Sequence, residues 1–257
     1  MNWQQNWIAL LTILHKEVSR FMRIWQQTIF PPAITTTLYF VIFGNLIGPR
    51  IGQMEGFSYM DFIVPGLILM SVITSSYANV SSSFFSAKFQ RSIEELQVSP
   101  IPDSIILLGY LGGGILRGLL VGSVVTVVSL FFSQLPIHNL WIVVTILILT
   151  ATLFSLAGFL NGMFARNFDD VTIIPNFILT PLTYLGGIFY SIKLLPNFWQ
   201  GASHANPILY MINAFRYGFL GISDINLGIS YSLIIIFCGL LFTINLRLLK
   251  AGYGIRQ

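Results

Sequence analysis

Lys88, Arg91, Glu94, Glu95 and Asp103 are five of the chain's twenty-two charged residues, and all fall in one sixteen-residue stretch, KFQRSIEELQVSPIPD, between long apolar runs. Phe89, Ile93 and Leu96 recur at i, i+4 and i+7, which draws one apolar stripe along a short helix, expected over 88–99, whose other faces are charged. Pro100 and Pro102 stop it, because proline offers no amide donor and its ring collides with the preceding turn. A helix this short has little bilayer to lie on, so its stripe is expected to enter a groove in a partner protein. What the stretch offers is docking.

Catalytic constellations are missing. No Gly-Lys pair occurs, so there is no Walker A loop to cradle a nucleotide phosphate. No H-E-x-x-H helix occurs, and His15, His138 and His204 are too dispersed for a metal site. An intramembrane serine protease needs serine and histidine at matched depth, whereas Ser123 reads as mid-span and His204 as outside the hydrocarbon. Cys238 is the only cysteine and sits in an apolar run, which excludes an internal disulfide, a thiolate cluster and a redox pair. No catalytic, cofactor-binding or metal-ligating residue is expected on this chain.

Three polar features within apolar runs could serve a transport path instead. Arg117 is the one basic residue expected deep in a span, where a charge costs about 2.5–3.5 kcal/mol on insertion scales, so it should face protein or water. A pairing with carbonyls or a hydroxyl and a contact with substrate are both open to it. Ser71, Thr74, Ser75, Ser76, Asn79 and Ser81–Ser83, like Thr35–Thr37, either line a polar path or bond back to their own helices. Tyr39, Phe40, Phe43, Phe177, Thr180 and Tyr184 offer aromatic surface with a few hydroxyls and no charge, a wall suited to an apolar or amphipathic molecule entering sideways from the bilayer. A bare ion or sugar would need denser polar groups to replace its water.

The elements that must position these residues follow from composition. Hydrophobic residues make up 55% of the chain and charged residues 9%, where soluble proteins carry about a quarter charged. The reading is an all-α integral membrane protein, one transmembrane domain over 1–257. Spans are expected at about 28–48, 60–82, 105–132, 140–163, 171–191 and 229–248, each near the roughly 20 residues that a bilayer of about 30 Å requires. Before them, 3–25 reads as an interfacial amphipathic helix, with Trp3, Trp7, Leu10, Leu14, Val18, Phe21 and Trp25 on one face and His15, Lys16, Arg20 and Arg23 on the other. With the N-terminus inside, nine Lys and Arg lie on the cytoplasmic side, Arg256 among them, and Arg50, Lys193 and Arg216 outside, a positive-inside bias that puts both termini and the 88–103 stretch in the cytoplasm. The pI near 9.3 thus reports topology and not nucleic acid binding. Residues 193–228 are too apolar for a free loop and are expected to form short re-entrant helices before the last span, with turns at Pro196, Pro207 and Gly218. Pro175 and Pro181 permit bends in the fifth span. Gly109, Gly113, Gly114, Gly118 and Gly122, with Gly158 and Gly162, have the small-xxx-small spacing that lets helices approach closely, within one subunit or across a dimer seam.

EELQVSPIP after the second span, RNFDD, LTPLTYLGGIFY and NPILYMI together make the chain resemble the ABC-2 type permeases, the membrane subunits of exporters, over essentially its whole length. The resemblance implies that Lys88–Pro100 holds the coupling helix, which seats in a cleft of an ATPase, and that Phe89, Arg91, Ile93, Glu94, Glu95, Leu96, Ser99 and Pro100 form the coupling site. Many members carry glycine where this chain has Arg91. The resemblance further implies a permease homodimer working with two ATPase subunits, which bind the ATP and magnesium, in the inner membrane of a bacterium. It implies export of amphipathic, lipid-linked or drug-like cargo along the first, second and fifth spans, with Tyr39, Phe40, Phe43, Phe177, Thr180, Tyr184 and Arg117 as candidates for the path. A polytopic scaffold or an intramembrane enzyme with no ATPase partner is the rival reading, and an adjacent reading frame for an ATPase would decide between them.

Overall fold

The computed structural model describes residues 2–253, so Arg256 lies outside the described residues. α1 (Trp3–Arg23) turns at Ile24 into α2 (Trp25–Tyr39), which runs on through a π-helical segment at Phe40–Ile47 into α3 (Gly48–Ile51). Thr28 closes the corner by donating its hydroxyl to the carbonyls of Phe21 and Ile24. β1 (Gln53–Met54) and β2 (Phe57–Ser58) pair antiparallel around Glu55 and Gly56, both at positive φ, as a tight hairpin with the strands' right-handed twist requires.

α4 (Tyr59–Phe89) starts where Ser58 accepts from the Asp61 amide, with the Asp61 carboxylate placed favourably at the positive end of the helix dipole. Most of the later helices pack against it. α5 (Ser92–Val98), α6 (Asp103–Ser129) and α7 (Leu140–Phe164) follow. α8 (Phe168–Ile174), a π-helical turn at Pro175–Leu179 and α9 (Thr180–Leu185) then form one bent rod. α10 (Asn197–His204), α11 (Pro207–Leu220) and α12 (Leu227–Lys250) complete the chain. Of the apolar stretch in α4, 83% is buried, against 17% in the α2–α3 rod and 11% in α12. α4 is therefore the centre of the bundle, and α2 and α12 are its lipid-facing periphery.

The glycines decide how closely the neighbours approach, and they are used within the chain. A Cβ on Gly158 of α7 would stand 2.4 Å from the Tyr77 carbonyl oxygen of α4, and one on Gly118 of α6 would stand 2.0 Å from the Ser76 hydroxyl. Gly109, Gly112 and Gly113 of α6 seat α1, since a Cβ there would come within 2.5, 2.7 and 2.5 Å of Ile13, Leu14 and Glu17. The face of α1 that meets the bundle thus runs through Ile13, Glu17 and Phe21, while Trp3 and Trp7 remain exposed.

Among the described residues, five helices are long and apolar enough to cross a membrane, residues 25–51, 59–89, 103–129, 140–164 and 227–250, and they fall on five of the six expected spans. The expected span at 171–191 is helical only over Phe168–Leu185, because Asp169 and Asp170 lie in its first turn and Gly186 and Gly187 end it. Helices do begin after Pro196 and at Pro207, but Gly218 lies inside α11, and the turn falls at Gly221, which has the positive φ that glycine adopts most easily. Arg216, counted on the outer side of the membrane, is buried within the protein to 2% exposure. Its guanidinium lies 3.8 Å from the centre of the Phe62 ring and donates to the carbonyls of Phe62 and Gly187 at 3.3 and 2.6 Å.

At the hairpin end of the bundle, Lys193 pairs with Asp224 at 3.0 Å and Glu55 at 3.3 Å, and Ser191 donates to both carboxylates. Its hydrogen bond to Asp224, the Asp224 charge and then Glu55 hold the Lys193 ammonium above its ordinary pKa. This clasp ties three loops together.

Replacing Gly158 by valine should lower stability by about 1–3 kcal/mol, because the neighbour it strikes is backbone and cannot rotate aside. A lowered thermal midpoint in detergent checks this, with Gly201→Ala, which meets open space, as the unaffected comparison.

Candidate functional site

Two regions gather the residues singled out by sequence. The first is the α5 end of the bundle. α4 stops at Phe89, and the chain turns through Gln90 and Arg91 before α5 begins, so the helix expected over 88–99 is two pieces. Arg91 makes the turn at φ +59°, left-handed backbone that costs a residue with a side chain about 1–2 kcal/mol.

The apolar stripe does not stand open for a partner. Ile93 is fully buried in one cluster with Val80, Phe84, Ile106 and Leu107, and Leu96 packs against that cluster. The groove is the chain's own. Arg91, Glu94, Glu95, Val98 and Pro100 remain exposed, and Ser99 is half-buried. Phe89 stays on α4, 66% exposed, its ring 5.2 Å from that of Phe168. Exposed Phe168, its ring 4.9 Å from that of buried Phe85, extends this surface to the start of α8. Sequence reading missed that extension, although RNFDD marked the place. Lys88 turns inward and donates to the carbonyls of Met163 and Ala165 at 2.9 and 2.8 Å, which pins the end of α4 to the end of α7.

The second region is the seam between the α2–α3 rod and the α8–α9 rod. The hydroxyls of Tyr39 and Tyr184 bond at 2.7 Å. Phe43 and Phe189 stack beside them with ring centres 4.6 Å apart, and Phe189 lies 5.7 Å from Tyr39 and 5.9 Å from Tyr184. Phe177 is 77% exposed on the π-helical turn, and the Thr180 hydroxyl is spent on the Pro175 carbonyl, which also accepts from the Thr180 amide. Phe40 is turned away from the seam, fully buried against Phe132. Beside the seam, a recess of about 270 Å³ opens between α2 and α4, lined by Pro32, Thr35, Thr36, Met70, Ser71 and Thr74. The hydroxyls of Ser71 and Thr74 donate to Leu67 and Met70 of their own helix, and both residues line this recess.

Arg117 belongs to neither region. It donates to Asn79 Oδ1 at 3.4 Å, an oxygen that also accepts from Arg20 of α1 at 2.8 Å. Among the described residues no group of three or more His, Cys, Asp or Glu could hold a metal ion.

Residues 8–220 match the profile of the ABC-2 type transporter family. The chain is 61% identical over 251 residues, 98% of both chains, to the inner membrane transport permease YadH of Escherichia coli K12. It is 20% identical over 246 residues, 95% of this chain and 93% of the other, to nodulation protein J of Rhizobium meliloti. It is 22% identical over 216 residues, 84% of this chain and 82% of the other, to nodulation protein J of Sinorhizobium fredii.

Two outcomes are expected from this geometry. Arg91→Gly should stabilise the protein by about 0.5–1 kcal/mol, the strain relieved less the entropy that glycine adds to the unfolded chain; a raised thermal midpoint checks it, and Arg91→Val should lower the midpoint. Tyr39→Phe and Tyr184→Phe should each cost about 0.5–1.5 kcal/mol, while the double replacement should cost little more than either, since both remove one bond. A double-mutant cycle on thermal stability measures this coupling.

Proposed function

The chain belongs to the ABC-2 type transporter family and is thus a transport permease and not itself an enzyme; on that premise we propose that it is the membrane half of an exporter, driven by ATP hydrolysis on a separate ATPase chain. The observation that supports this most is the α5 end. A short helix is braced against the bundle by Ile93 while Glu94, Glu95 and Val98 face out, and beside it stand the exposed rings of Phe89 and Phe168. A rigid body bearing acidic and aromatic side chains at one end of two long helices can convert a push on its surface into movement of α4 and α6. The ATPase, with its ATP and magnesium, supplies the push.

The same reading places the α5 end and both termini in the cytoplasm of a bacterium, with the permease in the inner membrane, as the name of the Escherichia coli relative says of that protein. Phe168–Leu185 crosses as a sixth, shorter segment; its 18 helical residues span about 27 Å at 1.5 Å each, close to the hydrocarbon thickness. α10 and α11 are the re-entrant helices. Two permease chains pair, each with one ATPase. Cargo with a hydrophobic portion enters from the bilayer at the seam, where aromatic faces and the hydroxyls of the recess match an amphipathic molecule.

The purified chain alone should hydrolyse no ATP, and reconstitution with its ATPase should give turnover that Glu94→Ala lowers several-fold while leaving the permease inserted and folded. Glu95→Ala should have the smaller effect. ATPase turnover by the permease alone would end the reading, and a reversed order of the two variants would move the contact to Glu95.

A further inference from the structure

One polar cluster has no place in coupling or in the seam: the cleft where α1 meets α4 and α6. Its α1 side lies where a membrane span begins, since Arg20 comes five residues before Trp25, the start of the first membrane-crossing helix, while Asn79 and Arg117 lie about ten and fourteen residues inside α4 and α6. Lys16, Arg20 and Arg117 bring three positive charges to it, against the single carboxylate of Glu17. No other acid is near. α2, α7 and α12 carry none, α4 has only Asp61 at its far end, and Asp103 opens α6 some 14 residues, or about 21 Å, from Arg117.

Acceptors are as scarce as negative charge. Glu17 is fully buried; its Oε1 accepts from Ser83 at 2.7 Å, and its Oε2 lies 3.6 Å from Arg20 Nε. Asn79 supplies nearly everything else, taking Arg20 on both its backbone and side-chain oxygens and Arg117 on the latter. Its own Nδ2, in a residue that is 0% exposed, has no acceptor, and Arg117 Nε has none either. Lys16 reaches the Tyr110 hydroxyl, at 3.5 Å, and its ring, and forms no ion pair among the described residues. Buried donors without acceptors and cations without counter-charge are both costly in apolar surroundings. The cluster is open on one side: Lys16 is exposed, Arg20 and Arg117 are partly so, and Leu116 beside them is 41% exposed.

We propose that this cleft binds the phosphate of an anionic phospholipid, held by Lys16, Arg20 and Arg117. A phosphodiester brings a second negative charge and several acceptor oxygens to a place where one carboxylate faces three cations. At the boundary its acyl chains run alongside the apolar surface of α6, and the lipid cements α1 to the two central helices. Basic pockets between helices at headgroup depth select anionic lipid by this chemistry.

The full-length chain, purified in an uncharged detergent, is titrated with phosphatidylglycerol, phosphatidylcholine or inorganic phosphate while its thermal midpoint is followed. Phosphatidylglycerol should raise the midpoint by several degrees, and the other two should not. Lys16→Gln, an exposed change that leaves the fold intact, should weaken the response about five-fold in concentration, the factor for one lost cation at a lipid surface. Arg117→Gln should weaken it further. Equal responses to phosphatidylglycerol and phosphatidylcholine, or an undiminished response in Lys16→Gln and Arg117→Gln, would overturn the site. A matching response to inorganic phosphate would overturn the lipid as its occupant.

Discussion

Close approach of α6 and α7 to α4 is what the rest of the bundle depends on. In hydrocarbon there is no water to expel from between apolar faces, so helices associate through packing and polar contact, and both require backbones to come near one another. Gly158 lets α7 rest on the Tyr77 carbonyl, and Gly114 and Gly118 let α6 rest on Val80 and Ser76. With α4 enclosed in this way, its Ser and Asn side chains are in protein and not in lipid, which is where they can be tolerated. The same glycine row continues down α6 to Gly113, Gly112 and Gly109 and there receives α1, so one sequence device builds the core and docks the N-terminal helix.

Docking of α1 and α5 shows why amphipathic stripes are ambiguous evidence. Hydrophobic periodicity says that a face is covered without saying by what. In α5 the covering surface is the chain's own cluster around Ile93, and what remains for a partner is the acidic side. In α1 the tryptophans that suggested an interface do face outward, but the face against protein centres on a buried glutamate, since Glu17 has Ser83 and Arg20 to satisfy it. A lone carboxylate in a sequence is read as exposed, and only the meeting of three helices reverses that reading.

The broad architecture was legible because bilayer thickness imposes a length on every spanning helix, and the five long helices all coincide with expected spans. Less was legible where the constraint is local geometry. Arg91 in left-handed backbone leaves no trace in composition. Phe40 and Phe43, three residues apart, ended on different sides of their helix because the π-helical turn begins at Phe40 and alters the register. Arg216 was counted on the outer side by topology alone; its burial against Phe62 and the Gly187 carbonyl depends on α11 folding back against α4, which no local pattern announces.

That π-helical turn has a counterpart across the seam. The α2–α3 rod carries Pro31, Pro32 and then the π-helical Phe40–Ile47, while the α8–α9 rod carries Pro175, the π-helical Pro175–Leu179 and Pro181. Each proline removes a backbone hydrogen bond, and each π turn widens the helix and weakens the next ones. Both rods also lie at the edge of the bundle and not in its glycine-packed centre, and the one side-chain hydrogen bond that joins them is between Tyr39 and Tyr184. α4 and α6, by contrast, are held together along their length by the close approach at Gly114, Gly118 and Gly122. The proline-interrupted pair at the periphery is where the backbone ladder is least complete.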